Sequence, residues 1–249
     1  MPTQDIRYSR QISLAGVGES GQKRLAASQV LLIGAGGLGT PAGLYLASSG
    51  VGHLVINDFD TIDASNLPRQ ILYRDTDNGQ HKASVAANRL NEINPEIEAV
   101  PIQKKLDSDA LATHINSSDV VLDCTDNFAS RWLINELCAQ QKTALVSGAA
   151  IRMEGQLSVF RHDLATPPCY RCLYREEDEN LNNCAGQGIL APVAGTIGCM
   201  MATETIKLLL GQTSQLHGHL WVYDAGGGAS RMLKIAARPD CPVCGTPGN

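Results

Sequence analysis

A chain of 249 residues with 43% hydrophobic content is long enough to bury the core of one large α/β domain and too apolar for disorder. Its 20 Lys+Arg against 25 Asp+Glu leave a formal net charge of -5, which excludes the polycationic surface on which nucleic-acid affinity depends. The opening residues MPTQDIRYSRQ lack a basic segment followed by an apolar one, and no stretch has the apolar length of a bilayer span; a cytoplasmic protein with no membrane partner is expected.

In chain order, residues 1–28 read as an N-terminal helical segment, 29–151 as a nucleotide-binding core and 152–249 as a further part of the same single domain. Strands are expected at Gln29 to Gly34, His53 to Phe59, Ile97 to Gln103, Asp119 to Thr125 and Thr143 to Ala149. Helical patterns fill the gaps at Leu38 to Ser49, Lys82 to Asn94, Ser108 to Ile115 and Phe128 to Gln140. Such alternation predicts parallel strands with right-handed crossovers, a doubly wound Rossmann-like sheet. EGQLSVFR then alternates like a strand, and a turn-rich, acidic excursion follows from Asp163 to Gly188. A helix at Pro192 to Leu210, with Pro in its first turn and Gly211 behind it, leads to the strands HLWVYDA and RMLKIAA.

VLLIGAGGLG runs an apolar strand into Gly34, Gly36, Gly37 and Gly39, the spacing of a phosphate-binding loop at a helix start. Asp58, ending the second strand, stands where such folds place an acid against ribose hydroxyls. NAD and ATP fit equally well to this point. The next two stretches of chain discriminate: ASNLPRQ offers Asn66, Arg69 and Gln70, and Lys82 opens the next helix. A triphosphate calls for paired cations that also stabilise a leaving pyrophosphate, whereas a dinucleotide needs few. Asp126 emerges at the carboxyl edge of the fourth strand, suited to magnesium. Taken singly, Arg69 and Lys82 also read as surface charges and Asp126 as a helix N-cap; together with the glycine loop they read as an ATP site.

Eight cysteines in this setting predict reduced thiols, metal ligands or catalysis rather than a disulfide framework. CYRC (Cys169, Cys172) is answered by CPVC (Cys241, Cys244), and four thiolates make a closed structural zinc site. The other readings are two unrelated thiol pairs, or a redox pair for which neither motif has the strand-then-helix setting. Cys124, Cys138 and Cys199 lie in apolar contexts and read as small core residues. His217 and His219 are expected to face solvent, and Arg152 to stand on the surface or line a substrate groove.

The stretches RYSRQ, GAGGLG, DFD, SNLPRQ, LDCTDN, SGAAIRMEGQ, CYRC, NCAGQGILAPVAGTIG and CPVC, in this order along nearly the whole chain, resemble the adenylating enzymes that activate ubiquitin-like sulfur carriers, the family of MoeB and ThiF. The resemblance implies adenylylation of a carrier's C-terminal glycine by magnesium ATP, followed by sulfur transfer from a donor protein. The carrier would be of MoaD type, slightly favoured, or of ThiS type. It places Gly37 in the phosphate loop, Asp58 and Asp60 of DFD and Ser65 of SNLPRQ in the nucleotide site, and Asn66, Arg69 and Lys82 on the phosphates. Asp126 would handle magnesium with Asn127 beside it. Arg10 would reach a neighbouring subunit's site, implying a homodimer, and Cys184 would serve sulfur transfer. Pro68 departs from the family's usual Gln and removes a backbone N–H, yet the loop is expected to keep its form. A rival of another class is a zinc-stapled scaffold that binds a carrier without turnover; an NAD oxidoreductase is the remote third.

Overall fold

The computed structural model describes residues 6–164, 167–175 and 188–245. After a short helix α1 (Ser9–Ile12) and α2 (Gly18–Ala27), the chain alternates β1 (Gln29–Ile33), α3 (Gly39–Ser48), β2 (His53–Asn57), α4 (Lys82–Ile93), β3 (Glu98–Ile102), α5 (Ser108–Asn116), β4 (Val120–Asp123), α6 (Phe128–Gln141) and β5 (Ala144–Ile151). Then come β6 (Glu154–Phe160), a short helix α7 (Tyr170–Leu173), the long α8 (Ala191–Leu209), β7 (His219–Asp224) and β8 (Ala229–Lys234). The expected elements are present, most of the parallel strands ending one or two residues earlier where the chain turns into the loops of the site.

These strands make one sheet of order β3-β2-β1-β4-β5-β6-β7-β8. The first five are parallel and β6 to β8 add antiparallel at one side. Both faces are covered, so β1 and β4 read as unbroken apolar runs (VLLI, VVL) instead of alternating. Leu32, Leu46, Leu90, Leu122 and Met201 join α3, α4 and α8 on one face. Leu31, Ile115, Val121, Ile134 and Phe160 join α5, α6 and α7 on the other. Each fully buried side chain of this size contributes about 1.5–3 kcal/mol.

The strand order reverses between β1 and β4, a topological switch point whose carboxyl-edge crevice is where such sheets bind ligands. Among the described residues no helix is long and apolar enough to cross a membrane.

Candidate active site

Gly34 leaves β1 at φ +95°, and a Cβ there would lie 2.9 Å from the Cys124 carbonyl oxygen, so the loops after β1 and β4 touch at the switch point. Gly39 is under a harder constraint: its Cβ would lie 1.9 Å from the Gly34 carbonyl oxygen, closing the turn into α3 to any other residue. In the first turn of α3 the Thr40 and Ala42 N–H groups already donate to the Gly36 and Leu38 carbonyls and Pro41 has no N–H, so backbone donors to a phosphate would come from the glycine loop ahead of the helix.

The residues between β2 and α4 pack onto that loop. A Cβ on Gly37 would meet Arg69 Cγ at 3.4 Å and Ala194 of α8 at 3.2 Å, and one on Gly36 would lie 3.6 Å from Gln70 Nε2. Gln70 is 3% exposed and donates to Asn66 Oδ1 at 2.9 Å, while its Oε1 has no hydrogen-bond partner among the described residues. A buried carbonyl oxygen without a donor costs about 1–3 kcal/mol, which marks a position set for something else to donate. Arg69 Nη1 donates to the Ser65 carbonyl, and Ser65 in turn donates to Asp63. The turn closes through the N–H groups of Arg69 and Gln70 on the Asn66 carbonyl, bonds that need nothing from Pro68.

Asp58 is buried and accepts from the Ala35 N–H at 2.8 Å and the Asp60 N–H at 2.9 Å, tying β2 to the glycine loop. Burial raises its pKa, partly offset by the Asp60 N–H and by Lys82. Lys82, with 7% of its side chain exposed, pairs with Asp60 at 3.0 Å, and Asp60 is open to solvent. Tyr73 closes the far side by donating to the Ala35 carbonyl at 2.7 Å. The Lys82 ammonium is thus sequestered beside the loop, unlike a solvated surface lysine, while the carboxylate it pairs with faces water.

Asp126 and Asn127 lie exposed in the loop after β4. Asn127, not Asp126, is the N-cap of α6, accepting from the Ser130 N–H at 2.9 Å; the Asp126 carboxylate is therefore not spent on the helix. Arg10 is exposed on α1, which Gln11 pins to the Ser49 carbonyl and Tyr8 to Asn94. Those anchors sit at the amino edge of the sheet, a strand length of about 17 Å from the glycine loop. Arg10 and the glycine loop of one chain therefore do not meet. Arg152 stands exposed at φ 54° between β5 and β6, its backbone paired with Gly188 and Leu190 just before α8. Cys184 lies outside the described residues.

The four sulfurs of Cys169, Cys172, Cys241 and Cys244 all lie within 4.8 Å of one another, with Cys169 to Cys241 at 3.6 Å and Cys172 to Cys244 at 3.4 Å. A tetrahedral zinc with Zn–S bonds of about 2.3 Å needs S···S edges of about 3.8 Å, so the donor set fits. Burial and the neighbouring Cys241 push the Cys169 thiol up to about 12; burial also works to raise Cys241, but the N–H groups of Cys244 and Val243 and the thiols of Cys169 and Cys244 together bring it down to about 7. Cys124 and Cys138 are core residues as expected, but Cys199 is only half-buried. His217 and His219 are also half-buried rather than solvated.

Sequence reasoning passed over three buried polar residues, Asp123 and Arg131 under the β4 loop and His162 beyond the end of β6 at the other edge of the sheet. Asp123, fully buried, accepts from Ser147 Oγ at 3.0 Å and from the N–H and hydroxyl of Thr125. Arg131, 8% exposed, donates twice to the Thr125 carbonyl. His162 sits against Asn135 with its pKa pushed down to about 4 by burial. A charged residue inside an apolar run, Asp123 after VVL, was the available signal.

The ThiF family model matches residues 8–243. The chain is 47% identical over 240 residues to molybdopterin-synthase adenylyltransferase of Escherichia coli, covering 96% of each chain. It is 44% identical over 244 residues to the sulfur carrier protein ThiS adenylyltransferase of the same organism, covering 96% of this chain and 95% of that one. Among solved structures, E. coli MccB with ATP superposes with a TM-score of 0.82 at 22% identity, over 96% of this chain and 75% of that chain, a likeness of fold.

Proposed function

Because the chain belongs to the ThiF family, we propose that it is an ATP-dependent adenylyltransferase acting on the C-terminal glycine of a ubiquitin-like sulfur carrier, with a MoaD-type carrier favoured over a ThiS-type one. The observation that carries this reading is the meeting, at one sheet edge, of the glycine loop with Arg69, Gln70 and the sequestered Lys82. A scaffold that only grips a partner has no use for a buried ammonium and an undonated Gln70 oxygen beside such a loop.

The carrier's ionised carboxylate attacks the α-phosphorus of ATP. A P–O bond to the carboxylate forms, the bond to the β-phosphate bridging oxygen breaks, and its electron pair leaves with pyrophosphate. No proton moves, so alignment and neutralisation of charge carry the rate. Asp58 holds the ribose side, with Asp60 and Ser65 in the same wall. Asn66, Arg69 and Lys82 take the phosphates, Lys82 exchanging its partner Asp60 for phosphate oxygens. Asp126, with Asn127 next to it, would hold magnesium, which when bound supplies positive charge to the phosphate oxygens.

Arg10 serves the site of a second copy, since its own chain holds it at the opposite sheet edge; the working form is a cytoplasmic homodimer. Zinc on Cys169, Cys172, Cys241 and Cys244 clamps the C-terminal tail to α7. Cys184 is the candidate for the later sulfur transfer, for which a separate donor protein supplies the sulfur.

ATP–pyrophosphate exchange tests the reading, run with a MoaD-type carrier, a ThiS-type carrier and each lacking its terminal glycine. Exchange that requires an intact glycine terminus is the expected result. Nucleotide binding without exchange for any carrier would favour the scaffold instead.

A further inference from the structure

The turn that carries Asp126 rests on a cage of buried charged groups that bonding within the fold does not by itself require. Thr125, the residue before Asp126, has every polar group taken. Its N–H and hydroxyl donate to Asp123 Oδ1 at 3.1 and 2.7 Å, and its carbonyl accepts from both Nε and Nη2 of Arg131 at 3.2 and 2.5 Å. Ser147 Oγ holds the other Asp123 oxygen from β5.

Burying a guanidinium and a carboxylate is expensive, and their replacement by apolar groups is commonly neutral or stabilising. Desolvation works against the Arg131 charge, and the Asp123 carboxylate together with Tyr170 and Tyr174 more than offsets it, so the pKa of Arg131 is raised and it remains protonated. It also lies 5.9 Å from the centre of the Phe128 ring, and its own N–H bonds the Asn127 carbonyl, so that both ends of the residue brace the Thr125–Asn127 turn. Two parallel donors on one carbonyl fix that peptide's plane, and the Asp126 N–H belongs to the same peptide unit.

We propose that Arg131, acting with Asp123 through Thr125, is a positioning residue that sets the Asp126 carboxylate for the magnesium of the nucleotide. The inference rests on the reading of Asp126 as the magnesium group given above. Arg131 touches no substrate; its effect is on where a ligand oxygen stands, which metal sites feel strongly through such outer partners.

The test measures equilibrium binding of a non-hydrolysable ATP analogue, with magnesium and without, and the magnesium half-saturation of pyrophosphate exchange. The variants are Arg131→Lys, Thr125→Val and Asp126→Asn. Lysine keeps the charge but not the fork, and Thr125→Val removes one donor to Asp123 while leaving the guanidinium in place, so it reports even where Arg131→Lys fails to fold. Expected are a magnesium half-saturation raised about tenfold in Arg131→Lys and less in Thr125→Val, with metal-free analogue binding within about twofold of the parent. Unchanged magnesium dependence in the folded Arg131 and Thr125 variants, beside a shifted Asp126→Asn, overturns the positioning role alone. An unshifted Asp126→Asn removes the magnesium reading and this inference with it.

Discussion

Removing two ligands from the tail, as Cys241→Ser with Cys244→Ser, tests whether the four sulfurs act as a metal clamp. The cluster joins α7 to a segment about 70 residues further along, and closing a loop of that length by a cross-link stabilises the fold by about 4 kcal/mol on the chain-entropy model. Beyond the cluster, the described part of the tail is held by the buried Ile235 and Cys241 and by Arg238 donating to the Arg171 carbonyl of α7, while all six residues of β8 are exposed. For a chain of this size that loss lowers the melting temperature by about 10 °C, provided the tail and core melt together. Total zinc, a melting curve and hydrogen exchange over 169–175 and 236–245 are the assay. The variant is expected to lose zinc, to exchange fast in both segments, and to keep slow exchange in β1, β4 and β5, where the core is deepest. A zinc-free variant with parental melting and unchanged exchange at both segments would refute the clamp. The metal also has to displace protons from thiols held as high as Cys169, so zinc uptake releases protons and tightens as pH rises, measurable by titration with a pH indicator.

Lys82→Met should fold, since methionine refills the buried stem, and lower carrier-dependent pyrophosphate exchange by about 10²–10³, the usual effect of removing one donor to developing charge; exchange within about threefold of the parent would sink the phosphate role. Gly39→Ala places a methyl 1.9 Å from a backbone oxygen with no flexible side chain to yield, so loss of soluble protein or destabilisation of about 3 kcal/mol is expected by denaturant titration. The folded protein holds His162 near pKa 4 against 6.5 in the free residue, so the unfolded chain binds the extra proton between those values. Stability is intact above about pH 6.5 and falls toward pH 4 by at most about 3 kcal/mol. His162→Gln should flatten that slope in urea titrations at about pH 7 and about pH 5; an unchanged slope refutes the assignment.

Residues Val30 to Gly39 show how far a linear reading reaches. The period of apolar residues, the turn glycines and the helix formers behind them are local constraints, so strands, helices and the doubly wound class follow from neighbours in the chain. Function was legible through spacing as well: SNLPRQ, Lys82, LDCTDN and the paired Cys-x-x-Cys motifs are short strings whose chemistry is specific when they occur together. Arg69 against Gly37 and the four sulfurs within 4.8 Å are two such groupings that the fold brings together in space.

What the sequence could not disclose depends on pairings between residues far apart in it or on the environment they meet. That Lys82 is sequestered against Asp60, that Asn127 takes the cap and leaves Asp126 unspent, and that Arg10 stands at the far edge from its own glycine loop are all consequences of how the elements pack. Asp123 after VVL signals a buried charge, but its pairing with Arg131 does not show in the sequence for the same reason: Arg131 looks like an ordinary surface charge until burial makes its charge costly and its partners matter. Sequence by itself determined the elements and the chemical inventory, because propensity and motif are short-range properties. Only the tertiary structure decided which charges are sheltered and which remain free to meet a ligand, because dielectric and hydrogen-bond satisfaction are set by what packs around a group.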